Sequence, residues 1–383
     1  MSDRVTAILT PGLLATLRER APELDQNNEF AFQDVHDLAE AGYFTATLPI
    51  EEGGAGWTFA DLVRAERLLA AAAPATALAV NMHQVWCGVD MILRSWGDER
   101  LAFMRKWVAE GELLAFGVSE PGNDAVLLDS YTEATPVDGG YSLNGLKVFT
   151  SLGPAWTRLG VMGKHDGKLL YGFVEPQDGV QRVGEWDALG MRASGSFATK
   201  LTDAFMKEDT IHTRFEPFDA TEPLVSAIFA SFLTLTGSVY VGIADRALEL
   251  ARQSASERTS RSTGLALSQQ PAARAQIAEA GMKQIALDAV VESVVNELDG
   301  GLAPSPETVA RWVTLRTMAT DIAQSHIETA RALSGGAGFT RTSEISRLYR
   351  DIAAGIHHPS QRPSAMESVA NWLVGPVEHT ANS

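Results

Sequence analysis

The sequence has 383 residues, of which 45% are hydrophobic and 21% charged, so it is long enough for two or three domains and has an ordinary globular composition. The 31 basic and 48 acidic residues give a net charge of −17. That charge disfavours a general nucleic-acid binder or an anionic-membrane binder, but it leaves room for a local basic pocket for a phosphorylated ligand. The single cysteine, Cys87, excludes an intrachain disulfide framework and a cysteine-rich metal site, so we expect no metal.

The N-terminus has no uninterrupted apolar region followed by a cleavage site, which argues against a signal peptide. The most apolar run, from Leu68 to Val80, is too short to span a bilayer. We therefore expect a cytoplasmic protein with neither a membrane nor a nucleic acid as partner.

Helical patterns fill the first part of the chain. Apolar residues recur at helical spacing in FAFQDVHDLAEAGYF, residues 30–44, and in TFADLVRAERLLAAAA, residues 58–73. Between about 115 and 220 the pattern changes to short runs rich in Val, Phe, Thr and Tyr. Turn signals at Asp138–Gly140, Asn144–Gly145 and His165–Lys168 suit hairpins, and their regular spacing suggests a small sandwich or barrel.

Long helices return from about residue 221. One of them begins cleanly, with Ser305 as N-cap and Pro306 at the first helical position, and it should run to about Leu333, before the glycines. We predict an α+β protein with a helical domain at 1–114, a β domain at 115–220 and a helical bundle at 221–383.

Four motifs carry candidate chemistry, although each alone has a plain structural explanation as a turn, a hairpin, a loop or a helix end. They are FGVSEPGND at 116–124, YSLNGLKVFTS at 141–151, GMRASGS at 190–196 and ALSGGAGFTRTSEISRLYRDI at 332–352. The first two offer backbone groups, hydroxyls and the Phe149 ring to a planar cofactor. The third could hold a phosphate through backbone amides. The glycines of the fourth require a tight turn or a close approach.

These motifs, together with LPIEEGGAG at 48–56, resemble those of the acyl-CoA dehydrogenase superfamily in order and spacing, from about Phe32 to Gly375. The resemblance implies a helical N-domain, a central β-sandwich or barrel and a C-terminal four-helix bundle, with FAD between the last two. It also implies a homotetramer that oxidises an acyl-CoA or related thioester, with hydride transfer to flavin N5.

The resemblance assigns nine residues to the flavin. Phe116, Val118 and Ser119 would line one flavin edge. Phe149, Thr150 and Ser151 would flank the isoalloxazine ring. The group near the adenosine half is Arg258, Gly335 and Gly336. Arg258 would reach the FAD pyrophosphate of a neighbouring subunit, because its planar guanidinium donates twice to a diphosphate.

The sequence departs from the family at the catalytic base, which removes the α-proton in α,β-dehydrogenation. The family often carries a glutamate about ten positions into the Arg-Asp segment, and counting from Arg350 that position is Pro359. The second position used by relatives falls near Phe232. Neither residue accepts a proton, whereas a one-residue slip in alignment would put His358 at the first position.

Three histidines become catalytic candidates. His357 and His358 occupy the place where flavin-dependent monooxygenases of the superfamily often carry a histidine, and His83 matches a histidine that some of them have on an N-terminal helix. Histidine suits proton handling near neutral pH. The alternative for His83 is a satisfied histidine packed among apolar neighbours, and for His326 a structural role is favoured.

Three functional hypotheses follow. The first is an FAD-dependent acyl-CoA dehydrogenase-like oxidoreductase, with an electron-transfer flavoprotein as a candidate electron acceptor. The second is a two-component monooxygenase that uses His358 and His83 and receives reduced flavin from a flavin reductase. The third is a non-catalytic flavin-binding assembly.

Overall fold

The computed structural model describes residues 3–377. Six helices open the chain: α1 (Arg4–Ile8), α2 (Pro11–Asn27), α3 (Phe32–Glu40), α4 (Phe59–Ala72), α5 (Pro74–Ser95) and α6 (Ala102–Ala109). Helix α4 begins with a capping box between Thr58 and Asp61. Pro74 separates α4 from α5, because proline suits the first position of a helix but not its interior.

The middle of the chain is a mixed sheet. Its strands are β1 (Leu114–Gly117), β2 (Glu133–Val137), β3 (Gly140–Thr150), β4 (Arg158–His165), β5 (Lys168–Val174), β6 (Val180–Val183), β7 (Phe197–Lys207) and β8 (Thr213–Phe215). They pair in the order β6-β7-β3-β2-β4-β5-β8, and β1 pairs in parallel with β4. Two predicted hairpins are confirmed, β2–β3 and β4–β5. In the second, Asp166 and Gly167 both have positive φ, as a two-residue hairpin turn requires.

The hairpin predicted at Asn144–Gly145 is wrong. Strand β3 runs through both residues and only shifts its register against β7 there. The Asn144 amide exchanges two 3.0 Å hydrogen bonds with the side chain and backbone of Asp203. A Cβ at Gly145 would overlap Thr132. The Asn-Gly pair therefore serves a bulge and a close strand contact, and not a chain reversal.

Helices return after the sheet: α7 (Pro223–Glu257), α8 (Pro271–Asp299), α9 (Pro306–Ser334), α10 (Glu344–Asp351) and α11 (Arg362–Val374). The four longer helices form the predicted bundle, in which α9 packs against α7, α8 and α11. The predicted ends of α9 are confirmed: Ser305 caps its start through the Thr308 amide, and Gly335 follows its end at φ 63°. We propose the domain limits 1–114, 115–220 and 221–383 for these three parts.

Helix α7 is long and apolar enough to cross a membrane by length and composition, but 83% of its most apolar 18-residue stretch is buried inside the protein. That burial is typical of a core helix. Its neighbours are α4 and α5 on one side and α9 on the other. Ser231 Oγ of α7 donates a 2.8 Å hydrogen bond to Val85 O of α5, and Gly88 lets the two helices approach. The N-terminal helices and the bundle thus share one core.

Candidate functional site

The end of β1 places the first predicted flavin segment. The Phe116 side chain is only 6% exposed and stacks on Trp86 of α5, with ring centroids 4.3 Å apart. Its backbone, and not its ring, is therefore the part that can face a cofactor. Val118 and Ser119 follow beyond the strand and are partly exposed. Ser119 O accepts a 2.9 Å hydrogen bond from Val148 N, so this segment lies beside the end of β3.

The end of β3 places the second segment. Phe149 has φ 58°, an uncommon conformation for a bulky residue, and its side chain is 64% exposed. An exposed aromatic ring held in a strained backbone suits a planar partner that covers it. The Thr150 hydroxyl is buried and bonds Thr199 at 3.2 Å, so only its backbone is available.

A cluster of serine hydroxyls extends this segment. Ser151 Oγ lies 2.8 Å from Ser196 Oγ, which lies 2.7 Å from Ser194 Oγ. The cluster joins the end of β3 to the GMRASGS loop. Sequence reasoning had not assigned Ser194 and Ser196 to a site, and the signal that marked them was the Gly/Ser composition of that loop.

Arg258 lies beside Gly335, next to Gly336 in the chain. Arg258 follows α7, and its Nη1 donates to Leu333 O at the end of α9. A Cβ at Gly335 would lie 3.0 Å from Arg258 Nη2, so glycine is needed for this approach, whereas Gly336 has open space around its Cα. The remaining guanidinium N–H groups have no partner among the described residues. They fit a phosphate or diphosphate.

These observations fit a flavin. An exposed aromatic ring and hydroxyl-bearing loop ends suit the isoalloxazine ring, and a free guanidinium beside open glycine backbone suits the phosphates. Phe149, Ser151 and Ser119 would hold the ring system, and Arg258 with Gly336 the phosphate end.

His358 forms the centre of a second polar group. Its Nδ1 lies 2.6 Å from Tyr240 Oη of α7. The Arg316 guanidinium of α9 lies 4.9 Å from the centre of the Tyr240 ring, and its Nη2 donates to His358 O at 3.2 Å and to Gly355 O at 2.5 Å. Tyr240 of α7 therefore holds the His358 ring, and Arg316 of α9 holds the His358 backbone carbonyl.

The two positions at which relatives carry the base meet at this group. The Phe232 ring centroid lies 6.5 Å from that of His358, and Pro359 follows His358 directly. Glu222 caps the start of α7 and pairs with Arg100, so it is occupied elsewhere. No carboxylate hydrogen-bonds the His358 ring within residues 3–377.

Burial, together with the charges of Arg316 and His357, lowers the pKa of His358 to about 3. Burial also raises the pKa of the Tyr240 phenol. Both groups are therefore neutral at physiological pH. This lowered pKa departs from the near-neutral proton handling typical of histidine, because burial and the Arg316 guanidinium act on a ring whose surroundings were not visible in the sequence.

A neutral His358 has two tautomers. If Tyr240 Oη donates to Nδ1, then Nε2 carries the proton and donates it. If Nδ1 donates to Oη, then Nε2 accepts. Tyr240 and Arg316 were missed by sequence reasoning, although Tyr240 lies two turns from Phe232 on one face of α7.

The other histidines lie in different settings. His357 is exposed, and its ring makes no hydrogen bond within the described part of the chain. His83 is fully buried: its Nε2 donates to Phe44 O at 2.9 Å and its Nδ1 accepts from Leu114 N at 3.2 Å. Burial lowers its pKa to about 4. These bonds give His83 a structural role, and its predicted proton-transfer role has no free ring nitrogen to carry it. His326 likewise bonds two backbone carbonyls.

Two family models match this chain, and both describe the same family. Residues 14–107 match "Acyl-CoA dehydrogenase, N-terminal domain" and residues 234–363 match "Acyl-CoA dehydrogenase, C-terminal domain". The chain is 25% identical over 358 residues to the putative acyl-CoA dehydrogenase YdbM of Bacillus subtilis, covering 92% of each chain. It is 28% identical over 385 residues to isobutylamine N-hydroxylase of Streptomyces viridifaciens, covering 97% of this chain and 96% of the relative.

Among solved structures, KijD3 in complex with FMN and a dTDP-linked amino-keto sugar superposes with a TM-score of 0.83 at 25% identity, covering 98% of this chain and 94% of that one. The relatives therefore include both dehydrogenases and oxygenases, and the shared feature is a flavin-binding fold. The chain belongs to the acyl-CoA dehydrogenase superfamily, a family of flavoprotein oxidoreductases and oxygenases.

Proposed function

We propose that the protein is a flavin-dependent monooxygenase that acts on a small molecule and receives reduced flavin from a partner reductase. One observation carries the proposal: where relatives place a carboxylate base, this chain places Phe232, Pro359 and a neutral His358 bonded to Tyr240. Removal of an α-proton from a thioester requires a base, and an imidazole whose pKa is about 3 is a weak one.

The chain's own residues supply the remaining requirements. A reduced flavin, when bound, supplies the electrons that activate dioxygen. His358 holds a proton at Nε2 in one tautomer, Tyr240 keeps the ring in place, and Arg316 holds the His358 backbone carbonyl. The partly exposed Phe232 ring limits water near His358, which strengthens the hydrogen bonds made there.

The similarity to isobutylamine N-hydroxylase over nearly the whole chain supports this reading. FAD is the flavin we propose, because the free N–H groups of Arg258 suit a diphosphate. The KijD3 complex contains FMN, so extraction and identification of the flavin from the purified protein decides between the two. We also propose a cytoplasmic homotetramer.

A direct test is isotopic. The protein is mixed with chemically reduced FAD or FMN and ¹⁸O₂, in the presence of a panel of primary amines, aromatic compounds and acyl-CoAs. Incorporation of one ¹⁸O atom into a product, lost in His358→Ala, supports the monooxygenase. Anaerobic bleaching of bound flavin by an acyl-CoA, without ¹⁸O incorporation, identifies a dehydrogenase instead. Bound flavin that is inert in both assays identifies a non-catalytic assembly.

The second candidate is α,β-dehydrogenation of an acyl thioester with an electron-transfer flavoprotein as acceptor. The retained arrangement of Arg258 with Gly335 and Gly336 favours it, since a dehydrogenase keeps its flavin tightly bound through both half-reactions. The similarity to YdbM is consistent with it. In this case His358 Nε2 would have to accept the α-proton.

A further inference from the structure

A cavity lies apart from the His358 group. It has a volume of about 580 Å³ and is enclosed by α2, the Ala188–Arg192 loop and the N-terminal end of α10. Five arginines line it: Arg18, Arg192, Arg341, Arg347 and Arg350. Only two carboxylates do so, Asp25 and Glu344, which leaves three positive charges in excess. Such an excess is unexpected in a protein of net charge −17.

The two carboxylates are already paired. Asp25 accepts two hydrogen bonds from Arg350, at 2.7 and 2.5 Å. Glu344 accepts two from Arg246, at 2.8 and 2.7 Å, and Arg246 does not line the cavity. The excess positive charge therefore stays with the other arginines. One of these, Arg192, bonds the exposed Asp187 at 3.0 Å.

Arg347 is the buried member of the set. It is only 5% exposed, and its Nε and Nη1 have no hydrogen-bond partner within residues 3–377. Its ion pair with Glu344 is long, at 3.8 Å. The Asp351 carboxylate, one turn further on, accepts a hydrogen bond from Met191 N, and the Arg347 charge lowers its pKa against the larger raising effect of burial. A buried guanidinium with two nitrogens that lack hydrogen-bond partners is costly, and an anion in the adjoining cavity would offset part of its charge.

The N-terminal end of α10 adds to the positive electrostatic potential of this cavity. Its N-cap, Ser343, makes no side-chain capping hydrogen bond, and Thr342, Ser343 and Glu344 line the cavity. A helix N-terminus carries partial positive charge and free N–H groups, and both favour an anion. This feature and the buried charge of Arg347 adjoin the same cavity.

We propose that this cavity is a binding site for a phosphorylated small molecule of about nucleotide size, separate from the flavin. Arginine forks and a helix N-terminus are the groups that recognise phosphate oxygens, and the volume suits a small ligand. Arg341, Arg18 and Arg347 supply the positive charge that the phosphate would meet. The site does not depend on the reaction proposed above.

Calorimetric titration of the flavin-saturated protein with pyrophosphate, ADP and citrate tests the proposal. We expect pyrophosphate and ADP to bind without changing the flavin spectrum. Tighter binding of ADP indicates a nucleotide, and equal binding indicates a site for the diphosphate alone. Arg341→Glu should weaken both by about tenfold or more, because it replaces a charged donor with a like charge. Arg341 makes no hydrogen bond within residues 3–377, so the fold should be unaffected.

Arg252→Glu is the matched control, because Arg252 is an exposed arginine on α7 without an ion pair among the described residues. It should bind as the unaltered protein does. Absence of heat with millimolar pyrophosphate, equal affinity of Arg341→Glu, equal binding of citrate, or displacement of the flavin by pyrophosphate would each overturn the proposal.

Discussion

His358 depends on two residues from other helices. Tyr240 of α7 bonds its Nδ1, and Arg316 of α9 holds its carbonyl while contributing a positive charge nearby. Substitution of His358 by Ala removes the proton-bearing ring and leaves both neighbours in place. We expect a loss of about 10²- to 10⁴-fold in turnover, the usual effect of removing a positioned acid or base, with flavin still bound. Turnover per bound flavin is the measurement.

His83→Ala provides the control. It should lower the melting temperature, since the backbone groups of Phe44 and Leu114 lose their partners, but turnover per folded protein should be unchanged. An equal loss of turnover in both variants would contradict the placement of proton chemistry at His358.

The pH dependence of turnover follows from the same group. Burial beside Arg316 and His357 lowers the pKa of His358 to about 3, below its ordinary value. The neutral ring is therefore present at all pH values above that pKa and is lost only as the pH falls through it. We expect turnover to be flat from about pH 8 to pH 5 as far as this group is concerned. Half-loss of turnover between pH 6 and 7 would show that the ring is protonated there.

The packing of strand β3 depends on a contact with a residue outside the strand. Gly145 lies against Thr132, where a Cβ would overlap the threonine. Gly145→Ala should destabilise the protein by about 1–3 kcal/mol, the usual cost of overpacking. Gly139→Ala is the comparison, because a Cβ at Gly139 would make only an ordinary 3.8 Å contact with Phe205 while its φ is 77°, so its cost is one of backbone strain. Chemical denaturation measures both, and a neutral Gly145→Ala would contradict the close contact.

Helix α9 and strand β3 differ in how far their structures could be predicted from the sequence. The ends of α9 follow from local groups, Ser305 and Gly335, and were predictable. Asn144–Gly145 has the composition of a hairpin turn, and its true role depends on Thr132 and Asp203, which no local pattern reveals. The ends of a helix can be predicted from the sequence when its own capping residues determine them. The course of a strand cannot be predicted in this way when contacts with other strands determine it.

The residues of the candidate site also fall into two classes, those that a local motif indicates and those that only the folded chain brings together. Phe149 and Gly335 belong to continuous motifs, so the sequence alone nominates them as site residues. Tyr240 and Arg316 meet His358 from 118 and 42 residues away, so only the folded chain shows that they belong to the group. The charge of Arg316 is also what moves the pKa of His358 away from neutrality, together with burial.

Helix α4 carries a buried acid, Glu66, whose protonation makes the stability of the protein depend on pH. Burial raises the pKa of Glu66 to about 8 from 4.5, against the effect of its hydrogen bond from Tyr43. The folded state keeps the proton up to that pH, whereas the unfolded chain releases it above pH 4.5. The contribution of Glu66 to the free energy of unfolding is therefore complete below pH 4.5. It is lost as the pH rises towards 8, at up to about 1.4 kcal/mol per pH unit.

Glu66→Gln keeps an acceptor for Tyr43 and has no proton to release. Its melting temperature should change less than that of the unaltered protein between pH 6 and 8.5, so the variant should become the more stable one at the alkaline end. Parallel curves for the two proteins would show that Glu66 is ionised in the folded state.

At the scale of the whole molecule, the bundle carries surface that suits a second subunit. Met282 and Ile285 of α8 are 73% and 72% exposed, one turn apart on the same face. Arg258 and Gly336 likewise leave polar groups open at the surface. We expect a homo-oligomer in which Arg258 serves a flavin held mainly by the neighbouring subunit.

Arg258→Ala should weaken flavin binding by about tenfold or more, because it removes a charged donor from the phosphates, without unfolding the chain. Phe149→Asp should also weaken it, through the ring end of the same flavin. If the two residues serve one site from different subunits, subunits of the two variants mixed under mild dissociating conditions should regain roughly one intact site in four, as random pairing requires. Flavin fluorescence in the mixture measures that recovery. If Arg258 acts on the flavin of its own subunit, every site in the mixture carries one defect and no recovery occurs.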